Sequence, residues 1–551
     1  MAKFSARYDG LAIVKLRLMF TVIAQGYGFS QLPATKATPD TLYFAGSTTK
    51  AMSSAAAGKI VHSEESGFKN IKWTTPMADV LGDDFVLTDA YATSHMSIED
   101  ALSHRSGLPA HDVSYGWSSQ SLLDCVRSLR HLPFSNDFRI GWLYNNILYG
   151  AVGAVIERLT GKDLSEVLED WFWKPLGMTS TTLFLDKALA MHDDDGNTRL
   201  AKGYYWTNDD FYVPDAYPDF TPVAAAGAAI SSVRDYSLWV KALLEASAGS
   251  SDASAPLSAD LFRDLITPRS IVPSLYASLW KDCNGITTCA LGWLVQNLGS
   301  RTLISHGGGL VGFGSCVYLL PEEGFGFVSM GNTMGSSNIV GSKLFFEVLK
   351  RLGLHDSQED EPCVPTDQTS STEEKDADAK PQEPARPCIS PSPEAVMKFV
   401  GSYIHPAYGT IDVADAGASV LSSLEANTAP EDVRPDLPHA ATFHVRPSQR
   451  TWPNEYALRQ KSPLGFHLDV FFQRGSDDTP ANDNDNSVTS ARSLAYKNIK
   501  VLEYLYTGKA VFEDDEAGSV KRLGMEVSPE LADSEAAKVD AGAGMIWFEK
   551  S

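Results

Sequence analysis

A hydroxyl and an amine three residues apart, at Ser47 and Lys50, have a spacing that suits covalent chemistry. Serine is a weak nucleophile until a neighbouring group accepts its proton. Because residues i and i+3 lie on one face of a helix, the Lys50 amine can reach the Ser47 oxygen. The alanine-rich segment 51–61 is predicted to form a buried helix whose N-terminal amides face the serine. The pattern therefore indicates an activated serine nucleophile.

The same Ser-x-x-Lys spacing begins again at Ser66 and at Ser278, so it is a weak signal on its own. Ser66 lies in a polar, glycine-containing stretch typical of a loop, and Ser278 comes shortly before an Asn-Gly turn signal. Of the three serines, only Ser47 lies between a segment predicted to be extended, 41–45, and the start of a helix rich in small residues. A bare match is more often a helix cap beside a solvated lysine, so other parts of the chain must support the interpretation.

Two further clusters supply that support. Tyr144 and Asn146 come just before apolar residues whose spacing predicts a helix over 147–159, ended by a glycine. Their side chains are therefore expected in the loop that enters the helix, where both can point into a cleft. The second cluster is His306 with the glycines 307–309, at the end of a short predicted strand.

The order Ser-x-x-Lys, then Tyr-x-Asn, then His-x-Gly on a late strand resembles the serine β-lactamase and penicillin-binding-protein superfamily. The resemblance is closest to the class C β-lactamase-like branch, which includes esterases, D-amino-acid peptidases and acyltransferases. It covers roughly residues 10 to 352. It implies an α+β fold in which an antiparallel sheet is flanked by helices. Further segments similar to that branch are 39–42, 102–109, 175–178 and 226–232.

The chain departs from the family pattern at two places. Position 306 is histidine, where β-lactamases and transpeptidases usually carry the lysine of Lys-Thr-Gly. The His-x-Gly variant resembles the esterase and peptidase members, so β-lactam hydrolysis is less expected. Family members also have a helix before the first strand, whereas few residues precede the strand predicted from 10 onward. We therefore expect this N-terminal helix to be truncated.

These residues suit acyl transfer through an acyl-enzyme. Ser47 is expected to attack a carbonyl while Lys50 and Tyr144 share the removal of its proton, and Tyr144 then protonates the leaving group. The phenol pKa of about 10 must be lowered for this, and we expect a Lys50 ammonium to supply the field. Asn146 would orient Lys50 or the substrate. His306 would hold Tyr144 or a substrate oxygen.

The backbone amides of Ser47 and Gly309 are expected to form the oxyanion hole, and Gly307, Gly308 and Gly309 leave room for substrate along the strand edge. The glycine run also fits a dinucleotide-binding pattern, but that site needs a following helix, and 316–320 is predicted to be a strand. A lipase oxyanion loop would require a Gly-x-Ser-x-Gly elbow, which the sequence lacks. Both alternatives are set aside.

Three functions remain open at this point. A serine hydrolase that passes the acyl group to water is the first expectation, with a small-molecule or peptide substrate. An acyltransferase is the first alternative, because the same acyl-enzyme serves both reactions and only the acceptor differs. A non-catalytic descendant that binds ligands is the third, and the intact serine, lysine, tyrosine and asparagine speak against it.

Composition indicates an enzyme of more than one domain. The 551 residues carry a formal net charge of −23, which argues against nucleic acid or an anionic membrane as a partner. The sequence has no membrane-spanning run and no metal-ligand spacing, so neither a membrane partner nor a cofactor is expected. A cytoplasmic location is expected, because the sequence lacks an Asn-x-Ser/Thr glycosylation site. The oligomeric state is left open. The six cysteines are expected to be mostly free and buried, although Cys283 and Cys289, or Cys363 and Cys388, are close enough to pair.

Three regions are predicted along the chain. Residues 1–355 form the catalytic domain, and 356–392 form an acidic, disordered linker. Apolar and polar residues alternate in this half: residues 466, 468 and 470 are apolar, whereas 467 and 469 are polar. This alternation predicts an antiparallel sheet or barrel over 393–551. This half resembles the lipocalin-like C-terminal domain of some relatives. Its role is either structural or to cover the cleft and bind part of the substrate.

Overall fold

A computed structural model of the chain describes most of its residues, which form two compact units. The first unit contains the described residues up to 355, and the second contains those from 397 onward. The predicted linker at 356–392 and the residues before the first strand lie outside the described ranges, so both expectations stay predictions. The described ranges are 11–17, 21–116, 120–206, 212–249, 255–273, 286–355, 397–415, 443–447, 451–461, 464–474, 501–515, 517, 519–532, 534, 537 and 544–551.

The first unit combines short helices with one large sheet. In chain order its strands are β1 (Leu11–Arg17), β2 (Thr21–Tyr27), β3 (Phe29–Gln31), β4 (Thr35–Lys36), β5 (Tyr43–Phe44), β6 (Tyr204–Trp206), β7 (Tyr212–Pro214), β8 (Ile230–Ser231), β9 (Ser270–Ile271), β10 (Thr288–Cys289), β11 (Leu294–Leu298), β12 (Arg301–Leu310), β13 (Phe313–Leu320) and β14 (Phe325–Gly331). Its α-helices are α1 (Thr49–Val61), α2 (Met77–Leu81), α3 (Ala90–His95), α4 (Ile98–Leu102), α5 (Leu122–Ser128), α6 (Asn146–Thr160), α7 (Leu164–Leu168), α8 (Lys174–Leu176), α9 (Leu185–Leu189), α10 (Ala224–Gly227), α11 (Val233–Ser247), α12 (Ala259–Ile266) and α13 (Ser336–Arg351).

The sheet is antiparallel and is covered by helices on both faces. Within the described residues it has eight strands in the order β2-β1-β14-β13-β12-β11-β10-β9. Neighbouring residues of the buried strand β14 face opposite sides, as the pleat requires. A Cβ added to Gly326 would meet Val240 of α11 at 2.3 Å, whereas the Phe327 ring packs on Phe345 of α13, with centroids 5.8 Å apart. The predicted α+β fold is confirmed.

Helix α1 is buried on every side. Its alanines, such as Ala51 and Ala55, are almost completely inaccessible. Gly58 packs closely on α12, because an added Cβ would come within 2.3 Å of Leu261. A helix surrounded by others needs small residues, which explains why the alanine-rich segment occupies this place. The predicted helix over 51–61 is confirmed, and it begins two residues earlier, at Thr49.

Local signals predicted the other elements around the site. The predicted helix over 147–159 is confirmed as α6, and Gly161 ends it with a φ of +67°. It begins one residue earlier than predicted, so Asn146 is its first residue and is not in the entering loop. Asn145, which the sequence did not single out, caps the helix by accepting from the Leu148 N–H at 2.9 Å. Strands β12 and β13 form a hairpin, so the glycine run leads into a strand, as predicted. The extended run at 41–45 contributes only the short β5, which pairs with β8.

The second unit is a closed antiparallel barrel. Its strands follow one another around the barrel as β15 (Gly401–His405), β16 (Gly409–Asp415), β17 (Phe443–Pro447), β18 (Asn454–Gln460), β19 (Gly465–Arg474), β20 (Val501–Asp514), β21 (Val520–Met525) and β22 (Ile546–Lys550), with a short helix α14 (Pro529–Ala532). The rings of Phe399, Phe466 and Phe512 pack together in its core, with centroids 4.7–5.6 Å apart. The predicted antiparallel β domain is confirmed. One position differs, because Asp469 on the predicted polar face is also buried.

Three of the cysteines, Cys125, Cys289 and Cys316, are buried free thiols, as expected for most of them. The other three cysteines lie outside the described ranges. Among the described helices, none has both the length and the apolar character needed to cross a bilayer. Over the same residues, no group of three or more His, Cys, Asp or Glu side chains is arranged to hold a metal ion.

Candidate active site

Ser47 lies in a tight 3-10 turn, Gly46–Thr48, that leads directly into α1. The Thr48 hydroxyl donates to the Ala45 carbonyl at 2.9 Å and holds the turn. Gly46 has a φ of +56°, a left-handed conformation that glycine adopts without strain. Ser47 is partly exposed while the residues on both sides are buried. The turn therefore presents one hydroxyl at the start of a buried helix.

Lys50 is fully buried, and its Nζ atom has three oxygen partners. Ser47 Oγ lies at 3.0 Å, Asn146 Oδ1 at 2.7 Å and the Ala226 carbonyl oxygen at 2.9 Å. Burial disfavours the ammonium form and lowers the pKa of Lys50 to about 7, although the nearby charge of Asp112 acts in the opposite direction. A substantial fraction of Lys50 is therefore a neutral amine near neutral pH.

The three partners of Lys50 suit a neutral amine that acts as a base. A neutral amine has two N–H donors and one lone pair. The amide oxygen of Asn146 and the carbonyl oxygen of Ala226 can only accept, so each takes one N–H. The lone pair is then left for the hydroxyl of Ser47, which is the geometry of proton transfer from the serine to the amine.

Tyr144 brings a second polar group to the nucleophile. Its hydroxyl donates to Ser47 Oγ at 2.7 Å. Burial raises the pKa of Tyr144, and the charge of Asp112 also acts to raise it. The expectation that this pKa is lowered is therefore wrong, because the burial of the phenol outweighs the other effects on it. The phenol is held in its protonated form and is a hydrogen-bond donor to Ser47.

His104 supports the loop that carries Tyr144. Its ring packs on the Tyr144 ring, with centroids 4.4 Å apart, and its Nδ1 accepts the Asn145 N–H at 3.1 Å. His104 is buried and has a φ of +59°, an uncommon conformation for a residue other than glycine. Burial holds the pKa of His104 well below its usual value, so the imidazole is neutral. The sequence included His104 in a family-like segment but gave it no role.

Asn146 connects Lys50 to a carboxylate that the sequence did not single out. Its Nδ2 donates to Asp112 Oδ1 at 2.9 Å, while its Oδ1 accepts from Lys50. The Tyr115 hydroxyl donates to the same Asp112 oxygen at 2.8 Å. Asp112 and Tyr115 belong to a loop far from Asn146 in the chain, and their spacing matches no pattern. Only the folded chain brings them together.

The glycines of β12 run past the nucleophile turn. A Cβ added to Gly308 would lie 2.1 Å from the Ala45 carbonyl oxygen, and a Cβ on Gly46 would lie 3.1 Å from Gly309 N. A Cβ on Gly307 would meet nothing closer than 4.0 Å. The close approach at Gly308 requires glycine and brings the Gly309 amide beside the turn of the serine. The structure thus brings Gly309 beside the turn that contains Ser47, and the oxyanion role of their two amides stays a prediction.

His306 lies on β12 at the rim of the site and is half-buried. Its Nδ1 donates to the Gly307 carbonyl at 2.7 Å, so this nitrogen is engaged by the backbone and is not the group that holds Tyr144. Burial, with a contribution from the nearby Lys50, lowers the pKa of His306 to about 4. The position that carries a lysine in β-lactamases is therefore uncharged here at neutral pH.

Known proteins are similar to most of this chain. A family model described as Beta-lactamase matches residues 5–345. The protein named unguisins hydrolase ungD' of Aspergillus campestris (strain IBT 28561) is 35% identical over 403 residues, which cover 71% of each chain. Unguisins hydrolase ungD of Aspergillus violaceofuscus (strain CBS 115571) is 33% identical over 472 residues, covering 80% of this chain and 81% of that protein.

A solved structure shares the fold. The octameric penicillin-binding protein homologue from Pyrococcus abyssi matches with a TM-score of 0.52 at 16% identity, and the match covers 95% of each chain. At this identity the likeness concerns the fold alone. Because the family model spans well over half of the chain and both curated relatives align with most of it, this chain belongs to the beta-lactamase family and is a hydrolase of that family.

Proposed function

We propose that the first unit is a serine hydrolase that forms an acyl-enzyme on Ser47, and that the substrate is an ester or amide of a small molecule or peptide. One observation carries this proposal. Ser47 Oγ lies 3.0 Å from Lys50 Nζ and 2.7 Å from the Tyr144 hydroxyl. The amine can accept a proton and the phenol can donate one, so the two neighbours have complementary roles at a single nucleophile.

Acylation then proceeds with three proton transfers. Ser47 Oγ attacks the substrate carbonyl carbon as its proton passes to the neutral Lys50 amine. The carbonyl double bond re-forms as the bond to the leaving group breaks, and Tyr144 donates its proton to the leaving nitrogen or oxygen. The Lys50 ammonium then re-protonates the phenolate directly, because Lys50 Nζ lies 4.7 Å from the centre of the Tyr144 ring. Both side chains return to their starting forms.

Deacylation uses the same groups in reverse. A water molecule takes the place of the leaving group beside Tyr144 and attacks the acyl carbonyl. Its proton passes to Lys50 by way of Tyr144, and the Ser47 oxygen leaves with the proton that Lys50 returns. The products are the free acid and the regenerated serine.

The negative charge on the carbonyl oxygen needs donors from the backbone. We assign this role to the amides of Ser47 and Gly309. The support is the close approach of β12 to the nucleophile turn, where a Cβ on Gly46 would lie 3.1 Å from Gly309 N. Such pre-positioned amides are worth about 10²–10³ in kcat in other acyl-transfer enzymes.

The relatives favour water as the acceptor. Both curated relatives are named as hydrolases of unguisins. We therefore rank hydrolysis above transfer to another small molecule, and we take unguisins as the first substrates to try. The uncharged His306 is consistent with a substrate that offers no carboxylate for a cation to bind at this position.

Serine substitutions test the proposal with a control inside the chain. Ser66 has the same Ser-x-x-Lys spacing as Ser47 but lies in an exposed turn. We expect Ser47→Ala to abolish hydrolysis of p-nitrophenyl esters and peptide amides, and Ser66→Ala to keep the wild-type rate. If water is the preferred acceptor, the free acid should remain the main product when alcohols are added as competing acceptors. Retention of the wild-type rate in Ser47→Ala would refute the proposal.

A further inference from the structure

We propose that Asp112 is a positioning residue for the base: its carboxylate orients Asn146 so that the amide oxygen holds Lys50, and its charge sets the pH range in which Lys50 accepts the Ser47 proton. This inference rests on the proposed function and deepens it. Asp112 accepts hydrogen bonds from Asn146 and Tyr115, so it acts on Lys50 through Asn146 and through its electric field.

The first support is the direction of the Asn146 side chain. An amide has a donating end and an accepting end, and the two are nearly the same shape. Here Nδ2 donates to Asp112 Oδ1 at 2.9 Å and Oδ1 accepts from Lys50 Nζ at 2.7 Å. If the amide rotated by half a turn, its oxygen would face the carboxylate and its NH₂ group would face Lys50. The carboxylate therefore selects the orientation in which Lys50 has an acceptor.

The second support is the way in which Asp112 is itself held. The buried Tyr115 donates its hydroxyl to Asp112 Oδ1 at 2.8 Å. The preceding residue, His111, has a φ of +49°, and its buried ring donates from Nε2 to the Pro133 carbonyl at 2.9 Å. A left-handed residue other than glycine costs about 1–2 kcal/mol, so the surrounding contacts must keep this loop in place. The carboxylate is thus presented by a constrained turn.

The third support is the set of titratable groups that face Lys50. Burial raises the pKa of Tyr144 and of Tyr149, and it lowers the pKa of His104 and of His306. Each of these four groups is therefore neutral near pH 7. In the described part of the chain, the remaining group that acts on Lys50 is the Asp112 carboxylate, whose charge favours the ammonium. A change in that charge acts on Lys50 directly.

The experiment compares two substitutions that remove one negative charge. Asp112→Asn removes the charge beside the base, and Asp260→Asn removes a charge at the exposed start of α12, where Asp260 pairs with Arg263 at 2.9 Å. The measurement is kcat/KM for p-nitrophenyl ester hydrolysis across a range of pH. Without its carboxylate neighbour, Lys50 loses its proton more readily. The rise of kcat/KM on the acid side of the pH profile (the acid limb) should therefore move to lower pH in Asp112→Asn. Its plateau should fall by about tenfold to a hundredfold, because the amine is less basic and less well oriented. Asp260→Asn should keep the wild-type profile.

The outcomes separate this inference from the proposed function. If the wild-type protein shows no hydrolysis that depends on Ser47, both are refuted. If hydrolysis depends on Ser47 but the acid limb of Asp112→Asn stays in place or moves to higher pH, the role of Asp112 alone is refuted. Asp112→Glu provides a second test should the asparagine variant fail to fold. This variant keeps the negative charge but displaces it. The acid limb of its kcat/KM profile should therefore stay near the wild-type pH, while the plateau value of kcat/KM falls. A plateau equal to that of the wild type would contradict the positioning role.

Discussion

The adjacent glycines Gly307 and Gly308 on β12 allow the close approach of this strand to the nucleophile turn to be tested, because an alanine at either position adds one methyl group. Gly308→Ala would place a Cβ 2.1 Å from the Ala45 carbonyl oxygen and 2.4 Å from Ser315 Oγ. A carbon atom does not approach an oxygen atom so closely without a bond, so β12 and the nucleophile turn must separate by about 1 Å. Overpacking of this kind lowers the free energy of unfolding by about 1–3 kcal/mol. A displacement of about 1 Å at a catalytic site lowers the rate by about 10²-fold. We therefore expect Gly308→Ala to lose both stability and activity.

Gly307→Ala is the matched control for stability. The added Cβ would meet nothing closer than 4.0 Å, and the residue has no left-handed backbone to strain. Its free energy of unfolding should change by less than about 1 kcal/mol. Urea unfolding gives the stability of the two variants, and p-nitrophenyl ester hydrolysis gives the kcat of Gly308→Ala. Equal stability for the two variants, with full activity in Gly308→Ala, would refute the close approach of β12 to Ser47.

Three further predictions concern the proton transfers. The kcat/KM of the wild-type protein should rise as pH increases through about 7, because the neutral form of Lys50 is the base and its pKa lies there, and a pH profile of ester hydrolysis checks this. Lys50→Arg should lower kcat/KM by about 10²–10⁴-fold at neutral pH, because a guanidinium keeps its proton, and ester hydrolysis again measures the loss. Tyr144→Phe should lower kcat/KM, which reports the acylation half of the reaction alone, more for amides than for p-nitrophenyl esters, since p-nitrophenolate leaves without a proton. Parallel assays on both substrate types test this, and an equal loss on both would contradict the role of the phenol as acid.

Elements with local signals were predictable from the sequence. The apolar spacing over 147–159 and the stop at Gly161 predicted helix α6, and both signals are read from neighbouring residues. The small residues of α1 indicated a buried helix, and the run after the glycines indicated the hairpin of β12 and β13. Short-range patterns and motif order therefore located the serine, the amine and the phenol before the fold was known.

Features that depend on distant contacts were not predictable. The pKa of Tyr144 rises because the fold buries the phenol, whereas the sequence alone suggested a field from a charged Lys50. The burial of Lys50 likewise lowers its pKa to about 7, so that much of it is a neutral amine near neutral pH. Asp112 meets Asn146 only through the folding of a loop, and no spacing in the chain encodes this contact. The buried Asp469 likewise departs from its alternating pattern.

The most direct test of the central chemistry is covalent trapping of the nucleophile. Incubation with a fluorophosphonate, followed by mass mapping of the digested protein, should find the label on Ser47 and leave Ser66 and Ser278 unmodified. The label should form more slowly in Lys50→Arg, because the serine loses its proton acceptor. Labelling at another serine, with Ser47 unmodified, would contradict the assignment of Ser47 as the group that Lys50 and Tyr144 activate.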